Sequence, residues 1–363
     1  MTVYMDSSEI RKIQFTGKST YVLSLPKKWV NELNLKPRDP VTVIRETDNT
    51  LSIISDITRA SKESVDEGTA QILKDEKANS IKRKIVSMYL AGYNIINLKS
   101  KSEKISPHQR EAAQDIVRRS LIGTEIIADS SDLITIQVLL TLPELSINSA
   151  VRRMFLLANS MHHDAMISLN ELNSELANSV VKSDDEVDRF SLYILRNLVI
   201  ATKNERILND VGLKKTSDCL SYRQAVKSIE RIADHACKFA EMTLSIKEKI
   251  PNDILDGIKK MSDLSLQDLN DSVEAFLRRD YLMADKIVDR KENVQIAENT
   301  IVSLLDNTDY GVFNQYKVFI KLILEHLRRT AEYSSDIAEE ALNQTIGEVI
   351  HIEKVEKRPF DYK

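Results

Sequence analysis

The stretch from Ser228 to Glu241 constrains this chain most. It contains neither Gly nor Pro, is rich in Ala, and reads as helix. Glu230 and Asp234 stand four residues apart, which stacks them on one helical face, and Glu241, seven further on, shares the stripe. Like charges at this spacing cost a few tenths of a kcal/mol unless something neutralises them. Lys227, Arg231 or Lys238 could do so in solvent, and a bound cation could do so better. The pattern recurs. Asp184 and Asp188 are four apart, as are Asp285 and Asp289 at an offset of 285 − 184 = 101. The stretch Leu327 to Glu339 echoes the Glu230 segment at 328 − 230 = 98. Repetition at about one hundred residues points to a duplicated unit, with three helices per copy and acidic pairs on the second and third.

The length of 363 residues favours two or three domains with a large buried core. Eight Gly and seven Pro are few for that length and fit long helices. A net charge of −4 argues against general polyanion binding by the whole chain. The two cysteines, Cys219 and Cys237, have no metal or redox spacing and read as free thiols in a reducing compartment. Met1 to Asp6 shows no basic and apolar leader pattern, and the most apolar run, Leu133 to Leu142, is too short to span a bilayer. A cytoplasmic protein without membrane insertion is expected.

From Leu145 on, helices dominate. Met154, Leu157, Met161, Ala165, Leu169, Leu172 and Leu176 recur at three and four, an apolar stripe for bundle packing. His162 and His163 point about 100° apart on a helix and read as surface residues rather than a metal pair. Ser183 or Asp184 is expected to start the next helix, where acids suit the dipole. Pro251 opens the fourth helix, and Asp306 to Gly311 separates the fifth from the sixth. On the sixth, Glu325, Arg329, Glu332, Asp336 and Glu339 read as an ion-paired face. The second and third helices of a bundle are neighbours, so Asp184/Asp188 and Glu230/Asp234 should converge. Four carboxylates without Cys suit Mg, Mn, Fe or Ca. His235 directly follows Asp234, which does not match the Glu-x2-His of ferritin-type di-iron sites. A solvated acidic face is the other reading of the same residues.

Residues 9–55 form a compact ββαββ unit. Alternating apolar positions, among them Phe15, Tyr21, Leu23, Val41, Val43, Leu51 and Ile53, mark strands. Gly17 breaks the first hairpin, Asp48-Asn49 turns the last, and Pro26 opens a short helix between them. Under fifty residues carry little core, so this unit is expected to dimerise. Residues 9 to 45 hold eight basic and three acidic side chains, a net +5 in an acidic chain. That suggests contact with a phosphate backbone, against the plainer reading of a solvated surface. Gly17-Lys18-Ser19 is not a P-loop, because Lys12 stands where the first Gly is required. Residues 58–75 read as a polar linker. An αβαββ segment follows, with helices over Glu76–Leu90 and Pro107–Ile122, the latter capped by Ser106. No catalytic constellation appears in it, and His108 reads as a surface residue near the helix start.

Two resemblances follow from these motifs. Asp184/Asp188, Glu230/Asp234 and Asp285/Asp289, in register on helices over roughly 145–345, resemble the (Glu/Asp)-x3-Asp signature of the PhoU family of phosphate-uptake regulators. The fourth motif departs: Arg328 stands where an acid is expected, followed by Glu332. The resemblance implies two tandem three-helix bundles and iron or zinc clusters on these motifs, which adds Zn to the candidate cations. The segments Ile10-Arg11-Lys12-Ile13, Gly17 to Trp29 and Leu35 to Asp39 resemble a SpoVT/AbrB swapped-hairpin domain. That family implies a dimeric barrel with DNA contacts at Arg11, Lys12, Lys18, Lys27 and Lys28. Lys stands where the family uses Arg, which suits phosphates more than base edges. The fusion layout resembles archaeal PhoU-like proteins.

The expected architecture is multidomain and mainly α. A SpoVT/AbrB-like head spans 1–57, a linker 58–75, a small α/β domain 76–143, bundles 145–247 and 250–345, and a polar tail 346–363. The expected function is a non-enzymatic, phosphate-responsive transcriptional regulator, a homodimer that binds DNA through the head and relays phosphate or metal status through the bundles. The alternative is an adaptor that dimerises through the head and regulates a phosphate transporter ATPase or a signalling kinase. Asp184, Asp188, Glu230, Asp234, Asp285, Asp289 and Glu332 are the candidate ligands for Fe, Zn, Mn or Mg.

Overall fold

The computed structural model describes residues 9–17, 19–45, 50–55, 66–101, 104–139, 146–203 and 205–350. The chain divides into two units, Met1–Val65 and Asp66–Lys363.

The first unit is a pair of hairpins around a short helix. Strands β1 (Gln14–Thr16) and β2 (Thr20–Val22) pair antiparallel, as do β3 (Val41–Arg45) and β4 (Leu51–Ser55). The two hairpins form separate two-stranded sheets. Gly17 turns the first with φ +68, a conformation open to Gly at no steric cost. Pro26 sits at the N-cap of α1 (Lys27–Glu32). The Asp48-Asn49 turn lies outside the described residues. The strands alternate as the sequence predicts, yet the apolar face of each hairpin is open: Phe15 is 59% exposed, Tyr21 74%, Val43 58% and Leu51 68%. Among the described residues of this unit no large apolar side chain is buried.

The second unit starts with a strand where the sequence suggests a linker. β5 (Glu67–Ile72) pairs in parallel with β6 (Ile95–Ser100), which corrects the expectation of a linker over 58–75. The signal was hidden because Gly68 looks like a flexible position. It is a packing position: a Cβ there would meet Met88 Cε at 2.7 Å and Tyr93 Cδ1 at 2.9 Å. The domain runs β5, α2 (Ala78–Ala91), β6, α3 (Pro107–Ser120), β7 (Thr124–Asp129), β8 (Leu133–Val138), with strand order β5-β6-β8-β7. Ile72, Ile81, Ile85, Tyr89, Ile96, Leu98, Ile134 and Ile136 form its core. A capping box joins Ser106 to Gln109, and the Gln109 amide also donates to the carbonyls of Leu73, Lys74 and Glu76.

The helical region packs onto this domain. α4 (Ile147–Glu171), α5 (Ser174–Thr202) and α7 (Asp218–Ser245) form the first bundle, with the short α6 (Glu205–Asp210) between α5 and α7. α8 (Asn252–Arg278), the broken pair α9 (Tyr281–Val288) and α10 (Lys291–Asn307), and α11 (Lys317–Val349) form the second. One continuous apolar core runs through both. Arg196 of α5, only 4% exposed, clamps the α/β domain: it stacks on the Tyr89 ring at 4.8 Å and donates to the carbonyls of Tyr89 and Gly92 and to Asn94 Oδ1. Its guanidinium thus satisfies carbonyls at the C-terminus of α2, where a cation also suits the dipole.

Three further expectations change. α5 begins at Ser174, capped by Asn173, whose side chain accepts from the amides of Glu175 and Leu176. Asp184 is therefore in mid-helix, and the N-terminal dipole does not account for it. His162 is not a surface residue: it is 1% exposed, edge-on to Phe239 at 6.4 Å, and neither ring nitrogen has a partner in the protein. Finally, α11 continues through residues 346–349 of the expected polar tail, whose remainder from 351 lies outside the described residues.

Candidate functional site

The carboxylates of the first bundle meet in the groove between α5 and α7. Asp184 and Asp188 lie one turn apart on α5, facing Glu230 and Asp234 one turn apart on α7. Their mutual influence follows from the shared patch. Burial first, then the charges of Asp188 and Asp234, pushes the Asp184 carboxyl up to about 6. Burial, then Glu230 and Asp234, pushes Asp188 up to about 6. Asp234 is raised by burial and then by Glu230. Cys237, on the same helix, is pushed up to about 12 by burial and then by Asp184, Glu241 and Asp234, so its thiol stays protonated and unreactive. The counterweight is partial: Glu230 accepts from Lys227 Nζ at 2.5 Å and from Ser191 Oγ at 3.2 Å, and Lys238, Lys227 and Arg231 oppose the rise at Asp234 without cancelling it. This is a half-buried, under-neutralised set of hard oxygen donors, which suits a hard divalent or ferric cation. The side chains do not form a finished coordination sphere. Among the described residues no group of three or more His, Cys, Asp or Glu is arranged to hold a metal ion.

The second set does not assemble. Asp285 on α9 and Asp289 just beyond its end are exposed. Both oxygens of Glu332 on α11 are occupied, one by Arg328 and the other by Arg329 Nη1 at 2.9 Å. The acid that α10 presents to α11 is Glu298, 3.3 Å from Arg328 Nε. The reason is register. Leu172 and Arg279 are the left-handed residues that close the first helix of each bundle, and Asn173 and Asp280 cap the second, an offset of 279 − 172 = 107 rather than 101. At that offset Asp184 and Asp188 correspond to Lys291 and Gln295. The Asp285/Asp289 pair matches by spacing alone.

In the head, Arg11, Lys12, Lys27 and Lys28 are exposed, and Arg11 is paired to Glu9 at 2.7 Å. Lys18 lies outside the described residues. Lys27 and Lys28 occupy the first turn of α1, which holds no acid.

One pair escaped sequence reasoning. His235 of α7 and His326 of α11 meet Nδ1 to Nδ1 at 3.0 Å on the seam between the bundles, with the Tyr333 ring 5.7 Å from His235. Burial, then the neighbouring His326 and the charges of Lys238 and Arg329, lowers His235 to about 4. Nothing in sequence spacing links residues 91 apart on helices of different copies.

The description "PhoU domain" matches residues 151–243 and 258–341, which cover most of α4 to α7 and of α8 to α11. The chain carries two PhoU domains. Ahead of them, residues 14–57 match a MazE antitoxin domain, "Antidote-toxin recognition MazE", on the two hairpins. Relatives of the PhoU region include the "phosphate-specific transport system accessory protein PhoU homolog 1" of Thermotoga maritima, 26% identical over 54% of this chain and 84% of that protein. The PhoU homolog of Aquifex aeolicus is 28% identical over 35% of this chain, which spans 56% of that protein's length. Crystal structures of PhoU from Streptococcus pneumoniae (21% identity, TM-score 0.47, 57% of this chain and 96% of that one) and Pseudomonas aeruginosa (20%, 0.48, 55% and 96%) also align. Among the described residues no helix is long and apolar enough to cross a membrane.

Proposed function

We propose that the protein is a dimeric, non-enzymatic regulator of phosphate uptake: the head binds the DNA backbone and the PhoU domains relay phosphate or metal status to it. The observation that carries this reading is the head itself, whose basic side chains Lys12, Lys27 and Lys28 stand exposed around hairpins with uncovered apolar faces. A second copy would cover those faces and double the positive field. Lysine at these positions favours phosphate contacts and weak sequence selectivity. In the PhoU region, Asp184, Asp188, Glu230 and Asp234 would hold a divalent or ferric cation (Fe, Zn, Mn or Mg), which would relieve the carboxylate repulsion between α5 and α7.

Relatives described as accessory proteins of a phosphate-specific transport system support a second reading. In it the head only dimerises, and the bundles contact a phosphate transporter ATPase or a signalling kinase. Binding of the full chain to a labelled duplex from its own promoter region, across a salt series, separates the two. Affinity that falls steeply with salt, and is lost in Lys27→Glu/Lys28→Glu, supports the regulator. A dimer with no affinity at low salt leaves the adaptor.

A further inference from the structure

The two bundles share a layout but not an electrostatic solution. At the third helix of the first bundle stands Glu230, and 98 residues on stands Arg328 (328 − 230 = 98). Around Glu230 the acids Asp184, Asp188 and Asp234 crowd together, and Lys227, Arg231 and Lys238 offset their repulsion only in part, with no guanidinium among the described residues bridging α5 and α7. Around Arg328 three acids converge on one guanidinium: Glu298 of α10 at 3.3 Å from Nε, Glu325 at 2.6 Å from Nη2, and Glu332 on Nη1. Arg328 is 22% exposed and Glu298 14%, so this is a partly dehydrated ion cluster rather than a set of surface pairs. A guanidinium offers five donors in a rigid plane and stays charged, and here those donors are spent on carboxylates from two helices. Arg329 adds a second cation, bonded to Glu325 and Glu332.

We infer that Arg328 is the built-in cation of the second bundle, joining α10 to α11 as a metal ion would, so that the chain offers one carboxylate cluster to a divalent cation and not two. The count of one rests on the metal reading of the Asp184/Asp188/Glu230/Asp234 cluster. The role of Arg328 does not. A free cation entering the second bundle would have to sit beside a guanidinium and displace it from Glu298, so occupancy there is self-opposed.

The test uses the full chain with Mn2+ as probe and four proteins: wild type, Asp188→Asn, Arg328→Gln, and Arg328→Gln/Glu298→Gln. Equilibrium dialysis should give one Mn2+ per wild-type chain and none for Asp188→Asn. Two per wild-type chain, with one retained in Asp188→Asn, would overturn the inference while upholding the metal reading. No binding by wild type would remove the metal reading alone, because Arg328 is judged separately by melting without metal. Arg328→Gln should melt several degrees lower, because it leaves the partly buried Glu298 beside other acids without its partner. Adding Glu298→Gln should recover most of that loss. If the two substitutions lower the melting temperature additively, Arg328 does not neutralise this cluster and the inference fails. If Arg328→Gln does not fold, the double variant still decides, since a folded double variant supports the inference and an unfolded one contradicts it.

Discussion

The head and the helical region solve the problem of apolar surface in opposite ways. The bundles bury theirs within one chain, in a continuous core that includes Met154, Phe239, Leu269, Phe276 and Leu327. The head leaves Phe15 and Tyr21 exposed on one face of its first hairpin and Val43 and Leu51 exposed on one face of its second, and the two hairpins form separate sheets. Among its described residues almost no apolar side chain is buried, and a unit of this size has little core of its own to stabilise it. The contrast teaches that the helical region is a finished fold, whereas the head leaves apolar surface that the proposed dimer would cover. Large apolar patches on a small β-unit mark an association surface.

The sharpest way to test that contrast is to damage the finished core. Phe239→Ala should cost about 3–5 kcal/mol in urea unfolding of the helical region, because Phe239 is fully buried against α4. The same variant should leave association through the head intact at low denaturant, and loss of association in step with the core would break the contrast.

Acid should act next most strongly. His162 is held neutral at about 4 by burial and by the nearby His163, well below an unfolded histidine near 6.5. The unfolded chain therefore takes up the proton first. The neutral ring's contribution is complete above about pH 6.5, falls as pH drops toward 4, and changes no further below that. It amounts to on the order of 3 kcal/mol. Urea midpoints for wild type and His162→Leu at pH 7 and 4.5 check this, with the acid loss smaller in the variant.

Arg196→Met should cost about 2 kcal/mol, since it strands the carbonyls of Tyr89 and Gly92 at the edge of a buried contact. Hydrogen exchange should then quicken in α2 and β6 more than in α7. The smallest effect belongs to the acidic groove. Asp184 and Asp188 sit near 6, above their unfolded value of 3.8, so they oppose folding at pH 8 and are relieved as pH falls through 6. Without divalent cations, Asp188→Asn should stabilise the chain at pH 8 by up to about 1 kcal/mol after allowance for screening in a half-exposed site. A loss of stability would show that the carboxylate is satisfied as it stands.

Much of the fold could be read from pattern, and the failures have physical causes. The bundles were legible because long Gly- and Pro-free stretches carry apolar residues at three and four, and because Asp184/Asp188 and Glu230/Asp234 repeat one helical turn. Local cues misled where two residues compete for one role. Ser183 resembles an N-cap, but Asn173 holds that position and Ser183 Oγ donates to the Ser179 carbonyl within the helix. Gly68 resembles a linker residue because the side chains that crowd it lie twenty or more residues away. Asp285/Asp289 failed because the repeat lengths differ between helices, which spacing within one helix does not reveal. The His235–His326 contact depends on how two bundles pack, a property of three dimensions.

Sedimentation of the full chain, wild type beside Phe15→Asp/Val43→Asp, tests the reading of the head as an unfinished fold most directly. The account predicts twice the chain mass for wild type at micromolar concentration and a single chain for the variant, with the melting of the helical region unchanged. A wild-type protein that sediments as one chain, or a variant that still sediments as two, would contradict it.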